Sequence, residues 1–134
     1  MSKVIVCGFG TFGKALTKML REHGINTVVI DAKKELEETV KETGAYFING
    51  DATNLETLKR ARAEDADAIA IALDDDAKNL FVVINARTLN KKAVIVARVN
   101  EEFVKEKLIE AGANYVVMPM KAAAKEIAEE LERM

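Results

Sequence analysis

Cys7 is the only cysteine in the 134 residues, so no internal disulfide can brace the fold. The chain suits a reducing, intracellular compartment, and Cys7, inside an apolar run, reads as a small buried hydrophobe. His23 is the only histidine. It falls at the end of a helical segment, where a cation is favoured, and no Ser/His/Asp set or Cys/His zinc site can be assembled around it. Tryptophan is missing and aromatics total 5%, so Val, Ile, Leu, Ala and Met must build the core. Lys plus Arg number 20 against 22 Asp plus Glu, which leaves no basic footprint for nucleic acid and no polybasic block for a membrane surface. No apolar run approaches the length that spans a bilayer, and the N-terminus lacks the pattern of a signal peptide. Neither low-complexity segment nor linker interrupts the chain, which predicts one domain over residues 1–134.

What is present is a set of short, continuous apolar runs: Val4–Cys7, Thr27–Ile30, Ala45–Ile48, Ala68–Leu73, Ala93–Ala97 and Tyr115–Met118. Continuous rather than alternating runs suit strands buried on both faces of a parallel sheet. Segments of helical spacing separate them, with stripes at Ala15/Leu16/Met19/Leu20, Leu36/Val40, Leu55/Leu58/Ala61, Leu80/Val83/Ile84/Leu89, Val104/Leu108/Ala111 and Ala124/Ile127/Ala128/Leu131. Six strand–helix repeats predict an α/β, Rossmann-type doubly wound parallel sheet of order 3-2-1-4-5-6 with helices on both faces. Gly24, Gly44 and Gly112 stand where helix C-caps belong, Thr53 or Asn54 can cap the third helix, and Pro119 follows the sixth strand. The last helix, 121–133, carries an apolar stripe that must pack on this domain or on another chain.

The first run continues as "VIVCGFGTFGKAL". Gly8, Gly10 and Gly13 form G-x-G-x-x-G between a strand and a helix. In that context Gly8 allows the tight turn, Gly10 lets the backbone approach a pyrophosphate, and Gly13 lets the helix sit close on the sheet. The free N–H groups of the helix start, around Thr11 and Phe12, then face phosphate. Asp31 closes "NTVVID", 18 residues after Gly13. A carboxylate there accepts the ribose hydroxyls of an adenosine and repels a 2′-phosphate, an exclusion that Lys33 weakens slightly. A helix N-cap is the competing reading of Asp31. In "NGDATN", Asp51, Ala52 and Thr53 reach the ligand edge of the sheet and could hold adenine, or form only a capped turn. In "ALDDDAKNL", Leu73 and Asp74 follow strand four across the switch point. Asp74, Asp75 and Asp76 read first as solvated helix-start acids and second as a calcium cluster. Arg98, ending strand five in "VARVN", can reach phosphates or pair with Asp74.

With every segment used by the nucleotide fold, the residues argue for binding without chemistry. The stretches "VIVCGFGTFGKAL", "VVIDAKKE", "FINGDATN", "LDDDAKNL", "VARVN" and "AGANYVVMP" together resemble the regulator-of-K⁺-conductance domain, also called KTN or Trk-A N-terminal domain. The resemblance runs from Lys3 to the last helix. It implies a cytoplasmic regulatory domain on the inner face of the membrane that binds NAD⁺ or NADH, or else ADP or ATP, and gates a K⁺ channel or transporter subunit through a homodimer or octameric ring. It implies that Gly8, Gly10 and Gly13 hold phosphates, Asp31 the ribose, and Asp51, Ala52 and Thr53 the adenine. Asn79 matches the asparagine opening the fourth helix, Arg98 the basic residue after strand five, and the last helix a crossover element on a neighbouring subunit. Many members carry arginine where this chain has Thr11, which shifts the expectation from triphosphate toward dinucleotide or diphosphate. The other readings are the coenzyme domain of an oxidoreductase lacking its catalytic part, and an idealised scaffold with a vestigial site.

Overall fold

The computed structural model describes residues 2–134. Six parallel strands form one sheet in the order β3-β2-β1-β4-β5-β6. They are β1 Lys3–Cys7, β2 Asn26–Asp31, β3 Tyr46–Asn49, β4 Ala68–Ile71, β5 Val94–Arg98 and β6 Tyr115–Val117. The helices are α1 Thr11–Glu22, α2 Glu37–Glu42, α3 Leu55–Arg60, α4 Asp76–Leu89, α5 Lys105–Ala111 and α6 Pro119–Glu132. Chain direction across the sheet reverses between β1 and β4, so the loops that leave these strands diverge and open a crevice at their carboxyl ends.

Strand alternation divides the core in two. Ile5, Ile30, Ile69, Ile71 and Ile95 point to the face covered by Leu58 of α3, Val82 and Val83 of α4, and Leu108 of α5. Val6, Val29 and Ala70 point to the opposite face, where Leu16 and Leu20 of α1 and Val40 of α2 cover β1, β2 and β3. Across β5 and β6 that second face is bare: Val94 is 51% exposed and Tyr115 64%.

Some expected stripes are rotated. In α1 the buried residues are Gly13 and Thr17, while Met19 is 63% exposed. Small residues face the sheet because α1 lies close to it, and the Thr17 hydroxyl donates to Gly13 O at 2.8 Å. In α4 the buried line is Asn79, Val82, Val83 and Ala86, and Ile84 faces outward. β4 ends two residues earlier than its apolar run. Its partner β1 stops at Cys7 opposite Ile71, so Ala72 makes one last bond to Cys7 O and Leu73 swings into the crevice. Pro119 is the first residue of α6, a place where its missing N–H costs nothing, so the last helix begins before residue 121. Asn54, not Thr53, caps α3, accepting from Glu56 N. His23 is the exposed C-cap of α1, as its position in the sequence requires.

Candidate functional site

A crevice of about 370 Å³ opens at the switch point, lined by Gly8, Phe9, Gly10, Thr11, Asp31, Lys33, Leu36, Ala72, Leu73, Asp74 and Arg98. A smaller hollow of about 160 Å³ adjoins it through Asp31, Lys33 and Leu73 and reaches Gly50, Asp51, Ala52 and Lys78. Two connected hollows of this size suit a long ligand with two ends.

The glycine turn shapes the first. Gly8 turns the chain out of β1 at φ +104°, a conformation side chains rarely adopt, and a Cβ there would also meet Leu73 Cδ2 at 2.9 Å. Gly13 touches the turn itself: a Cβ would lie 1.9 Å from Gly8 O. Gly10 is different, since a Cβ on it meets nothing within 4 Å. It is the N-cap of α1, has no side chain to cap the helix, and leaves the first-turn N–H groups turned to the crevice.

Asp31 does not cap the helix after β2. Its Oδ2 accepts from Phe9 N at 2.8 Å and its Oδ1 from Lys33 N at 2.9 Å. The carboxylate thus ties the glycine turn to the end of β2, and lone pairs remain on both oxygens for ribose hydroxyls. At the far hollow, the Thr53 hydroxyl and N–H both donate to Asp51 Oδ1, at 2.7 and 2.9 Å. Those bonds hold the Asp51 carboxyl below the usual range, with Lys78 adding attraction, so it is ionised at neutral pH. Ala52 is buried on the floor.

The three consecutive acids have three separate tasks. Asp75 caps α4 by accepting from Lys78 N. Asp76 accepts from Asn100 N and Glu101 N, tying the loop after β5 to the start of α4. Asp74 lines the crevice. The backbone donors on Asp75 and Asp76 turn these carboxylates away from a common centre, and among the described residues no group of three metal-ligating side chains forms.

Of the residues expected at the site, Gly8, Gly10, Thr11, Asp31, Lys33, Leu73, Asp74 and Arg98 line the crevice, and Asp51 and Ala52 the hollow. Phe12, Gly13, Thr53 and Asn79 line neither. Asn79 is fully buried and its amide donates to Leu73 O and Arg98 O, at 2.8 and 2.9 Å, fixing both sides of the rim. The Arg98–Asp74 pair, one of the two readings of Arg98, is not formed. Arg98 instead lies over the Phe12 ring, 5.9 Å from its centroid, with a 3.3 Å contact to Asn100 Oδ1. Sequence reasoning missed Phe9, Leu36, Gly50, Ala72 and Lys78. Lys78 was accessible to it, being on the first turn of the helix that "DDD" opens. Cys7, fully buried beside the turn, has its thiol pushed up to about 12 by burial and stays protonated at neutral pH.

Known proteins share this fold. Potassium channel protein 1 of Methanocaldococcus jannaschii is 36% identical over 126 residues, covering 92% of this chain and 38% of that protein. The chain spans well under half the length of the first curated relatives it matches. The crystal structure of the TrkA-N domain of inner membrane protein ybaL from Escherichia coli superposes with a TM-score of 0.90 at 27% identity, covering 97% of this chain and 96% of that one. The GsuK channel bound to NAD matches at a TM-score of 0.77 and 26% identity over 87% of this chain and 21% of that one, and the same channel has been solved bound to ADP. Residues 4–119 match the TrkA-N domain, and the chain belongs to that family.

Proposed function

We propose that this domain is a regulatory module that binds NAD⁺ or NADH, or else ADP or ATP, without catalysis, and controls a K⁺ channel or transporter from the cytoplasmic side. The observation that carries the reading is the Asp31 carboxylate bonded to the glycine turn. It sets a ribose acceptor beside an uncapped helix start, across one crevice. The channel relatives supply the class of partner, and the nucleotide-bound GsuK structures supply the class of ligand. Among the described residues no helix is long and apolar enough to cross a membrane, so the gate lies outside them. Regulation then follows from differential affinity: a nucleotide that prefers one arrangement of the assembly shifts the population toward it.

The assembly is a homodimer at least, and α6 is its contact. Every residue of α6 after Pro119 is exposed, including Ile127 at 61% and Leu131 at 62%, and among the described residues Lys121 to Glu102 is the one ion pair that joins it to the rest of the domain. The bare sheet face at Val94 and Tyr115 offers a complementary apolar surface. Only Met118 separates β6 from α6, too short a link for the helix to fold back, so the occupant is a second copy. Fourteen residues make a helix about 21 Å long, enough to cross three strands spaced about 4.8 Å apart. Ile127→Asp with Leu131→Asp is expected to convert a dimer to a monomer in light scattering while the melting of the sheet domain is kept. A wild-type monomer at all concentrations would reject the contact.

Calorimetric titration with NAD⁺, NADH, ADP and ATP, with the solution mass recorded for each, tests the whole reading. Micromolar binding of one nucleotide with a change in assembly is the expected result. No binding of any of them rejects it.

A further inference from the structure

The peptide between Thr53 and Asn54 is held at both ends. Its N–H, from Asn54, donates to Asp51 O at 3.0 Å. Its carbonyl, from Thr53, accepts from Asn85 Nδ2 at 3.1 Å. The rest of Thr53 is engaged as well, since its N–H and its hydroxyl both donate to Asp51 Oδ1. The polar groups of this one residue thus form a relay from α4 to the Asp51 carboxylate.

Asn85 sits half-buried in the middle of α4, 32 residues from Thr53. Asparagine is a poor residue for a helix interior, because its amide competes for nearby backbone groups. Here the amide leaves its own helix and spans to the loop after β3. Among the described residues this is the one side-chain hydrogen bond from α4 to that loop. The other side chains that leave the helix, Asp76, Asn79 and Arg87, bond the segments around β4, β5 and β6.

The relay decides which oxygen of Asp51 is free. Oδ1 already takes two donors, whereas Oδ2 has none among the described residues, and Asp51 lines the hollow that adjoins the crevice. The Thr53 hydroxyl and N–H also hold the carboxyl below its usual range, so it is ionised at neutral pH. An ionised carboxylate only accepts, so what it takes from a purine is an amine. Adenine carries one at C6, where hypoxanthine carries an oxygen. The other charged groups lining this hollow are Asp31, Lys33 and Lys78. The lysines only donate, and Asp31 is bonded to the glycine turn.

We infer that Asn85 positions the base of the bound nucleotide: by holding the Thr53 carbonyl it turns the Asp51 carboxylate so that Oδ2 receives the exocyclic amine of adenine. The inference deepens the nucleotide reading above and rests on it. Asn85 is a positioning residue, acting only through Thr53 and Asp51.

The test compares ADP with inosine diphosphate by calorimetry on wild type, Asn85→Leu and Asn85→Gln, and follows the Asp51 carboxyl titration of each free protein by NMR. Leucine fills similar space without a donor, and leucine and glutamine both favour a helix more than asparagine does, so thermal melts should stay near wild type. Wild type is expected to prefer ADP about 10-fold or more, the range for a hydrogen bond to a charged group. Asn85→Leu should lose most of that preference, and its Asp51 should titrate at a higher pH, because the Thr53 donors no longer stay on Oδ1. Asn85→Gln keeps an amide donor and should restore part of both. If Asn85→Leu keeps either the ADP preference or the Asp51 titration of wild type, whatever its melting temperature, Asn85 only braces a helix against a loop and the inference falls. A wild type that binds both diphosphates equally also overturns it, while leaving the nucleotide reading intact. One that binds neither overturns both.

Discussion

Gly13→Ala is expected to lower the stability of the domain by about 3 kcal/mol, the upper end for overpacking, and the melting temperature by about 10 °C. The added methyl would lie 1.9 Å from Gly8 O and 2.8 Å from Gly8 C. Those atoms are backbone in a turn that Gly8 already holds at φ +104°, so they cannot yield as a flexible side chain would. Instead α1 must lift, and Leu16 and Leu20 lose contact with the Val6–Val29–Ala70 face. Gly10→Ala is the contrasting case. Its φ is −78° and its Cβ direction is open, so stability should change by less than about 0.5 kcal/mol. The methyl would nevertheless stand over the helix start where a diphosphate has to come close, and nucleotide affinity should fall. The two variants separate two uses of one motif: thermal melts should register the third glycine and calorimetry the second. A Gly10→Ala protein that binds NAD as tightly as wild type would mean that the phosphates do not pass over Gly10.

The sheet order could be read in advance because its cause is local. Apolar runs such as Val4–Cys7 and Thr27–Ile30 are too short and too uniformly buried to be anything but inner strands, and right-handed crossovers leave few ways to connect them. The glycine turn was legible for a related reason, since the positive φ at Gly8 and the close seat of α1 at Gly13 restrict residue type. Side-chain partnerships were not. Asp31 could cap a helix or hold the glycine turn, and only the pairing of β1 with β2 brings its carboxylate to Phe9 N. Asn79 matched an expected ligand residue, yet α4 turns it inward to join two loops 25 residues apart, Leu73 and Arg98. That Arg98 does not take the Asp74 alternative has a similar origin: the ring of Phe12 attracts the guanidinium from a helix remote in sequence. The α6 stripe was visible as an apolar pattern, but a pattern cannot say whether a helix packs on its own sheet or leaves it.

Asp31→Ala should affect binding and stability together, and the two effects can be separated. On the binding side, NAD should weaken by about 1–3 kcal/mol, the range for losing a charged hydrogen-bond partner. NADP should not weaken in parallel, since the carboxylate that accepts ribose hydroxyls also repels a 2′-phosphate. The preference for NAD over NADP should therefore narrow, a readout that general damage to the crevice would not produce. On the stability side, Phe9 is 4% exposed and its N–H donates to Asp31 Oδ2, so the alanine variant leaves a nearly buried donor without an acceptor. The cost is about 1–2 kcal/mol in a denaturant titration. Asp31→Asn isolates the two terms. Its one carbonyl oxygen can still accept from Phe9 N, but its amide nitrogen faces the Lys33 N–H and the charge is gone. The asparagine variant should thus keep most of the stability and lose most of the NAD preference. If both variants bound NAD as wild type does, Asp31 would be only the tie between β2 and the glycine turn, and the ribose would have to be held elsewhere, with Lys33 and the Asp51 hollow the remaining polar groups within reach of that end of the crevice.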